Sequence, residues 1–164
     1  MTAIWWIRRD LRLHDNQTLQ AALQAGLVLP VYIFDPYFWA GSPGRRHKFL
    51  SNGLHALEAD LSQRGSYLVL RRGEPVEVLR QLLSESGAQV IYTEEDFTPY
   101  ARKRDQAVAA QLPLKQVQGQ LVHHPEGIRK SDGSPYTVFT PFSKVWKSLL
   151  PSDFGVSQAP EHIP

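Results

Sequence analysis

Three arginines and an aspartate crowd the stretch Trp6-Ile7-Arg8-Arg9-Asp10-Leu11-Arg12-Leu13-His14-Asp15-Asn16, directly after an apolar run. Guanidinium groups so placed can grip a phosphate or carboxylate through a fork of N–H donors, and Asp10 can pair with Arg12 to fix the loop. A purely structural network of ion pairs is the equal alternative, because charge clusters mark both kinds of place. The other basic clusters, Arg45-Arg46, Arg71-Arg72 and Arg102-Lys103-Arg104, read as solvated faces. His123 and His124 are adjacent, and neighbours in an extended segment point to opposite faces and chelate one ion poorly, so no metal is expected. No Gly-x-Gly-x-x-Gly follows the first apolar run and no phosphate loop ends in Lys and Ser or Thr, so neither common nucleotide fingerprint is present.

The chain that must position these groups has 164 residues, 42% hydrophobic and 21% charged, the size and balance of one globular domain with a real core. It has no cysteine, which removes disulfides, thiolate nucleophiles and sulfur-held clusters. A net charge of +2 is too small for a dedicated nucleic-acid binder. No apolar run approaches the length that crosses a bilayer, and the first residues lack a signal pattern, so a cytoplasmic protein without a membrane partner is expected.

Short runs rich in Ile, Val and Tyr predict five strands, at Ile4 to Ile7, Leu27 to Phe34, Tyr67 to Leu70, Val90 to Thr93 and Leu114 to Val117, all apolar on both faces. Helices are predicted between them. Thr18 to Ala25 stops at Gly26, about Arg45 to Gln63 carries Leu50, Leu54, Leu57 and Leu61, Pro75 opens a run closed by Gly87, and Pro99 opens another ended by Pro113. This alternation predicts an α/β fold: a five-stranded parallel doubly wound sheet, Rossmann-like, in the order 3-2-1-4-5 with helices on both faces. Ligands of such sheets bind beyond the strand carboxyl ends where the order reverses. Strands one and four meet there, so Arg8 to Arg12 and Glu94 to Tyr100 are expected to line the crevice. Ser131 to Pro135 reads as a turn, and 151–164, with three prolines, as a linker after a domain spanning 1–150.

The run Arg8-Arg9-Asp10-Leu11-Arg12-Leu13-His14-Asp15-Asn16 resembles the opening signature of the DNA photolyase and cryptochrome family. The likeness continues in order through Val31-Tyr32-Ile33-Phe34-Asp35-Pro36, through Phe49-Leu50 with Leu54 and Leu57, and through Tyr92 to Asp105. It ends with Gly133 to Phe142 followed by Lys144 and Trp146, so it covers roughly residues 3 to 150. It implies the N-terminal α/β domain of a flavoprotein that splits pyrimidine dimers in DNA by light. FAD, the damaged DNA and every catalytic residue would then belong to a helical C-terminal domain of the same polypeptide. This chain alone is expected to be inactive and monomeric.

In that family the α/β domain carries an antenna chromophore that passes its excitation to FAD. Folate-type members have an Asn-Glu pair where this chain has Tyr100-Ala101, while Asp96-Phe97-Thr98-Pro99-Tyr100 resembles members with a flavin-like antenna. The resemblance therefore implies 8-hydroxy-5-deazaflavin or FMN rather than reduced folate. Candidate contacts are Arg9, Asp10, Phe34, Asp35, Asp96, Thr98, Tyr100 and Arg104. Asp96 and Thr98 would meet ring heteroatoms, Phe34 would flank the ring, and Arg9 would meet an anionic edge. Plainer roles are a turn or cap for Asp96, a core position for Phe34, and a surface pair for Arg104 with Asp105. A cryptochrome photoreceptor domain and a free-standing nucleotide-binding module are the competing readings.

Overall fold

The computed structural model describes residues 1–39, 44–119, 121–152 and 155–164. Five parallel strands, β1 (Thr2–Ile7), β2 (Leu27–Phe34), β3 (Val69–Arg72), β4 (Val90–Glu94) and β5 (Leu114–Val117), lie in the order β3-β2-β1-β4-β5. The strand order and four of the helices between strands are those predicted, whereas the helices at Pro36–Trp39 and Phe139–Ser148 are not. The register pairs Trp5 with Pro30 on one side and with Tyr92 on the other, which makes β1 the central strand.

Successive residues of β1 point to opposite faces. Ala3, Trp5 and Ile7 enter one core with Leu19 and Ala22 of α1 (Gln17–Ala25) and with Leu54, Leu57 and Leu61 of α3 (Arg45–Ser62). Ile4 and Trp6 enter the other with Val78, Leu79 and Leu82 of α4 (Pro75–Ser86) and Val108 of α5 (Pro99–Ala109). Burying one such large apolar side chain stabilises the fold by about 1.5–3 kcal/mol. The four-residue helix α2 (Pro36–Trp39) continues directly from β2.

The helix boundaries follow from end chemistry. Asn16 caps α1 by accepting from Leu19 N at 2.8 Å, and Thr98 caps α5, where Pro99 needs no intrahelical N–H partner. Gly87, at φ 67°, closes α4 in the left-handed region that glycine enters without a Cβ clash.

Two expectations are corrected. The edge strands β3 and β5 are not buried on both faces: Leu70, Arg71, Arg72, Lys115 and Gln116 are exposed. β3 also begins later than predicted and takes in Arg71 and Arg72, because these pair with Ile33 and Phe34 at the end of β2. The stretch read as a linker carries packed residues as well. Ile163 is fully buried in the α1–α3 core, Val28 N donates to Pro164 O at 2.8 Å, and Asp15 N donates to Ser157 O at 2.8 Å. Residues 153–154 of that stretch lie outside the described residues.

The chain divides into two compact units, residues 1–119 with 157–164 and residues 120–156. The smaller holds a short 3-10 turn, Pro125–Gly127, capped by His124, and helix α6 (Phe139–Ser148). Within it His123 Nε2 lies 3.0 Å from Trp146 O, with the two rings edge to face. The predicted turn at 131–135 is present, with Asp132 accepting from Ser134 N at 2.8 Å.

Candidate functional site

Everything expected to do chemistry lies at the carboxyl end of β1 and its neighbours, all within the larger unit. β1 and β4 are tied there by the Thr93 hydroxyl, which donates to Trp6 O at 2.9 Å. The loop after β1 is shaped by Asp10, which is 1% exposed. Its carboxylate accepts from Arg8 N, from Trp5 Nε1 and from Asn16 Nδ2, at 3.0, 3.3 and 3.2 Å. Asp10 therefore does not pair with Arg12, whose guanidinium donates instead to Asp15 O at 2.9 and 3.2 Å. Burial leaves that carboxylate needing several donors, and the backbone and Asn16 are nearer than Arg12.

Two long-range links join this loop to the β4 loop. Arg8 turns inward and donates to both carboxylate oxygens of Asp105 on α5, at 2.6 and 2.8 Å, and also to the Glu94 carbonyl. Asp105 takes two further donors, Arg104 Nε at 2.9 Å and Gln116 Nε2 at 3.1 Å. Arg104 and Asp105 are thus a buried pair, not a surface one. The guanidinium carbons of Arg8 and Arg104 each lie 5.0 Å from the Trp6 ring centroid, where a ring face attracts cations. Farther out, Arg9 meets Asp96 at 3.7 Å, with Arg9 62% exposed. Asp96 also accepts from Thr98 N at 3.0 Å, so one carboxylate shapes the turn into α5 and faces the opposite loop.

Asp35, at the end of β2, is buried and accepts from Tyr37 N at 2.9 Å and from the Tyr100 hydroxyl at 2.6 Å. Tyr100 stacks on Tyr37 with centroids 3.7 Å apart. Burial, then the bond to Asp35, raises the Tyr100 hydroxyl well above the usual phenol range, so it remains a donor. Burial, then Asp35, likewise pushes Tyr32 up to about 12. At the end of β4, Glu94 is buried beside Gly119, where a Cβ would come within 2.3 Å of its carboxylate oxygen. Its carboxyl is pushed up to about 7, by burial first and by the Asp10 charge second, against the opposing pull of Arg12, Arg8 and Arg9.

Above these groups opens a cavity of about 660 Å³. Of the eight predicted site residues, Arg9, Asp35, Asp96, Thr98 and Arg104 line it. Asp10 lies behind the loop, and Tyr100 acts through Asp35. Phe34 lines a different recess of about 920 Å³ with Leu54, Leu68 and Leu70, on the α3 side of the sheet. Sequence reasoning missed Trp6, Tyr32 and Phe38 as wall residues and Arg45, Arg46 and His47 at the mouth. The Arg45-Arg46 pair was the available signal, and only the return of α3 against the cavity distinguishes it from other exposed pairs.

Aromatic walls with a rim of donors and acceptors accept a planar, polar-edged ring. A family model described as DNA photolyase matches residues 3–161. The deoxyribodipyrimidine photo-lyase of Agrobacterium fabrum is 36% identical over 158 residues, covering 92% of this chain and 32% of that protein. The solved bacterial class III photolyase from Agrobacterium tumefaciens superposes with a TM-score of 0.86 at 31% identity, over 99% of this chain and 34% of that one. The archaeal photolyase from Sulfolobus tokodaii, described with two FAD molecules and a novel light-harvesting cofactor, gives 0.75 at 27% identity over 92% of this chain and 36% of its own. The chain spans about a third of the length of each of these three relatives.

Proposed function

The chain belongs to the DNA photolyase family as its N-terminal α/β domain, and from that premise we propose that the cavity over β1 and β4 holds a flavin-type antenna chromophore, 8-hydroxy-5-deazaflavin or FMN. When bound, such a ring would absorb light and pass the excitation to an FAD held by the family's helical domain. Light-driven splitting of pyrimidine dimers belongs to the two domains together. In this reading none of the described site residues touches the reacting bond.

The observation that carries the proposal is the meeting of the two loops. Arg8 with Asp105 and Arg9 with Asp96 span the β1 and β4 ends, and the cavity remains open above them. Trp6, Tyr32 and Phe38 exclude water from a ring, while Asp96, Thr98 and Arg104 offer complementary partners to its heteroatoms. Asp35, held by Tyr37 N and Tyr100, keeps its carboxylate fixed at the wall. The residues present therefore fit a planar heteroaromatic group.

The test is equilibrium titration of the chain with 8-hydroxy-5-deazariboflavin, FMN and reduced folate, read by ligand fluorescence. The flavin-type rings should bind more tightly than the folate. Asp96→Ala should weaken them roughly tenfold, the loss of one hydrogen bond to a charged group. Tighter folate binding would reverse the choice of chromophore, and no binding by any of the three would remove the antenna reading. Irradiation of the chain with dimer-containing DNA should yield no repair.

A further inference from the structure

Two tryptophans line the cavity, Trp6 and Trp39, and their rings have different neighbours. The guanidinium carbons of Arg8 and Arg104 each lie 5.0 Å from the Trp6 centroid. Trp39 instead stacks on His47, with centroids 4.0 Å apart and planes within 10°. A cation over an electron-rich ring is attracted to it, and the same cation repels the ring once an electron has left. Burial sharpens this, because solvent and salt screen a buried charge poorly. Trp6 is therefore harder to oxidise than Trp39.

The two cations are fixed in place by one carboxylate. Arg8 donates to both oxygens of Asp105 and Arg104 Nε donates to one of them, so two guanidinium groups share a single negative charge and one positive charge remains uncompensated beside Trp6. Arg104 Nη2 has no hydrogen-bond acceptor, and the same guanidinium lies 5.7 Å from the Tyr100 centroid. Aromatic faces, with one N–H bond to Asp105, hold it. Trp5, the neighbour of Trp6 on β1, is the built-in control: the two are 0% and 2% exposed, but Trp5 donates its N–H to the Asp10 carboxylate at 3.3 Å, and an anion there eases electron loss.

A photoexcited flavin-type ring is a one-electron oxidant, and an indole at the wall of its pocket is a donor. Transfer leaves the indole oxidised by one electron and the ring reduced by one; the return of that electron restores both ground states, and the excitation is lost as heat. We propose that Arg8 and Arg104 form an electrostatic shield over Trp6, which stops this indole from quenching an excited ring held in the cavity. The purpose of the shield rests on the antenna reading given above, whereas the resistance of Trp6 to oxidation stands without any ligand. Both arginines act through Trp6 and are positioning residues.

The experiment has two arms, both at mildly alkaline pH, where imidazoles are neutral. In the first, the ligand-free chain is oxidised by photogenerated tris(bipyridine)ruthenium(III) and its tryptic peptides are read by mass spectrometry. Trp5 should be modified severalfold more than Trp6, and Arg104→Gln should bring Trp6 to the level of Trp5. In the second, the fluorescence lifetime of bound riboflavin is measured at saturating protein, with circular dichroism confirming that each variant is folded. Trp39→Phe should lengthen the lifetime and Trp6→Phe should leave it unchanged. In the Trp39→Phe background, Arg104→Gln should shorten it at least about threefold, a modest cation–ring energy expressed as a rate, and adding Trp6→Phe should restore it. Equal oxidation of Trp5 and Trp6 in wild type would overturn the shield, as would a lifetime that lengthens on Trp6→Phe alone. A lifetime unmoved by Arg104→Gln, or a loss that Trp6→Phe does not restore, would do the same. A lifetime unmoved by Trp39→Phe would show that an unshielded indole does not quench here, which also overturns the proposal. Should riboflavin not bind, the flavin reading of the cavity falls and the ligand-free arm alone decides the shield.

Discussion

Trp5 and Trp6 are neighbours on β1 that face opposite sides of the sheet, and the two sides treat charge differently. On the Trp5 side one carboxylate, Asp10, takes N–H donors from Trp5, Arg8 and Asn16, all within six residues of it in sequence. That set is closed. On the Trp6 side two guanidinium groups lie over the ring and share Asp105, a partner 97 residues from Arg8. That set is open, because Arg104 keeps an Nη2 without an acceptor. Local polar groups fix the shape of one loop. Distant ones fix where two loops meet, and they leave positive charge facing the cavity.

The largest expected effect comes from breaking the long-range set. Asp105→Ala removes the acceptor for Arg8, Arg104 and Gln116 together and leaves two buried guanidinium groups with no counter-charge. Breaking a buried pair from one side costs about 3–5 kcal/mol. Urea denaturation should show a loss of that size, and flavin binding should fall with it. A loss below about 1 kcal/mol, the range of an exposed pair, would mean that Arg8 does not hold the loops together.

Glu94 separates the two sets by pH. Its folded carboxyl lies at about 7 against an ordinary 4.5, so the native state holds the proton more tightly than the unfolded chain. The resulting stability is fully present below pH 4.5 and is lost as pH rises through 7. A shift of that size corresponds to about 3 kcal/mol. Between pH 5 and pH 8 the wild-type chain should lose more stability than Glu94→Gln, whose neutral amide carries no such dependence. Parallel pH profiles for the two would show that the Glu94 carboxyl is not held up by burial beside Asp10.

The strand order, the helices and the position of the crevice were legible because they rest on local signals. Pro75, Pro99, Gly26 and Gly87 punctuate the helices, and the apolar runs of β1, β2 and β4 mark central strands. The burial of β3 and β5 was not legible, since four residues such as Leu114-Lys115-Gln116-Val117 look alike at an edge or a centre, and edge position is a property of the whole sheet. Sequence separation also hid the partner of Arg8. Asp10 and Arg12 are the near candidates for ion pairing, whereas Asp105 reaches the site only once α5 is packed against α4 and β5. Phe34 fell on the other recess because its ring packs against the α3-side core, edge to face with Tyr32 and Trp39, rather than into the cavity.

The smallest expected effect on stability is at the outer link. Arg9 is 62% exposed and lies 3.7 Å from Asp96, so solvent and salt screen the pair, and its removal should change stability by no more than about 0.5 kcal/mol. Arg9→Gln therefore isolates ligand binding from folding, which Asp105→Ala cannot do. If the open set serves a ligand, Arg9→Gln should keep the wild-type urea midpoint and still weaken FMN severalfold, more at low ionic strength than at high. An unchanged FMN affinity would return Arg9 to the solvated surface and confine the working charge of the cavity to Arg104 and the start of α3.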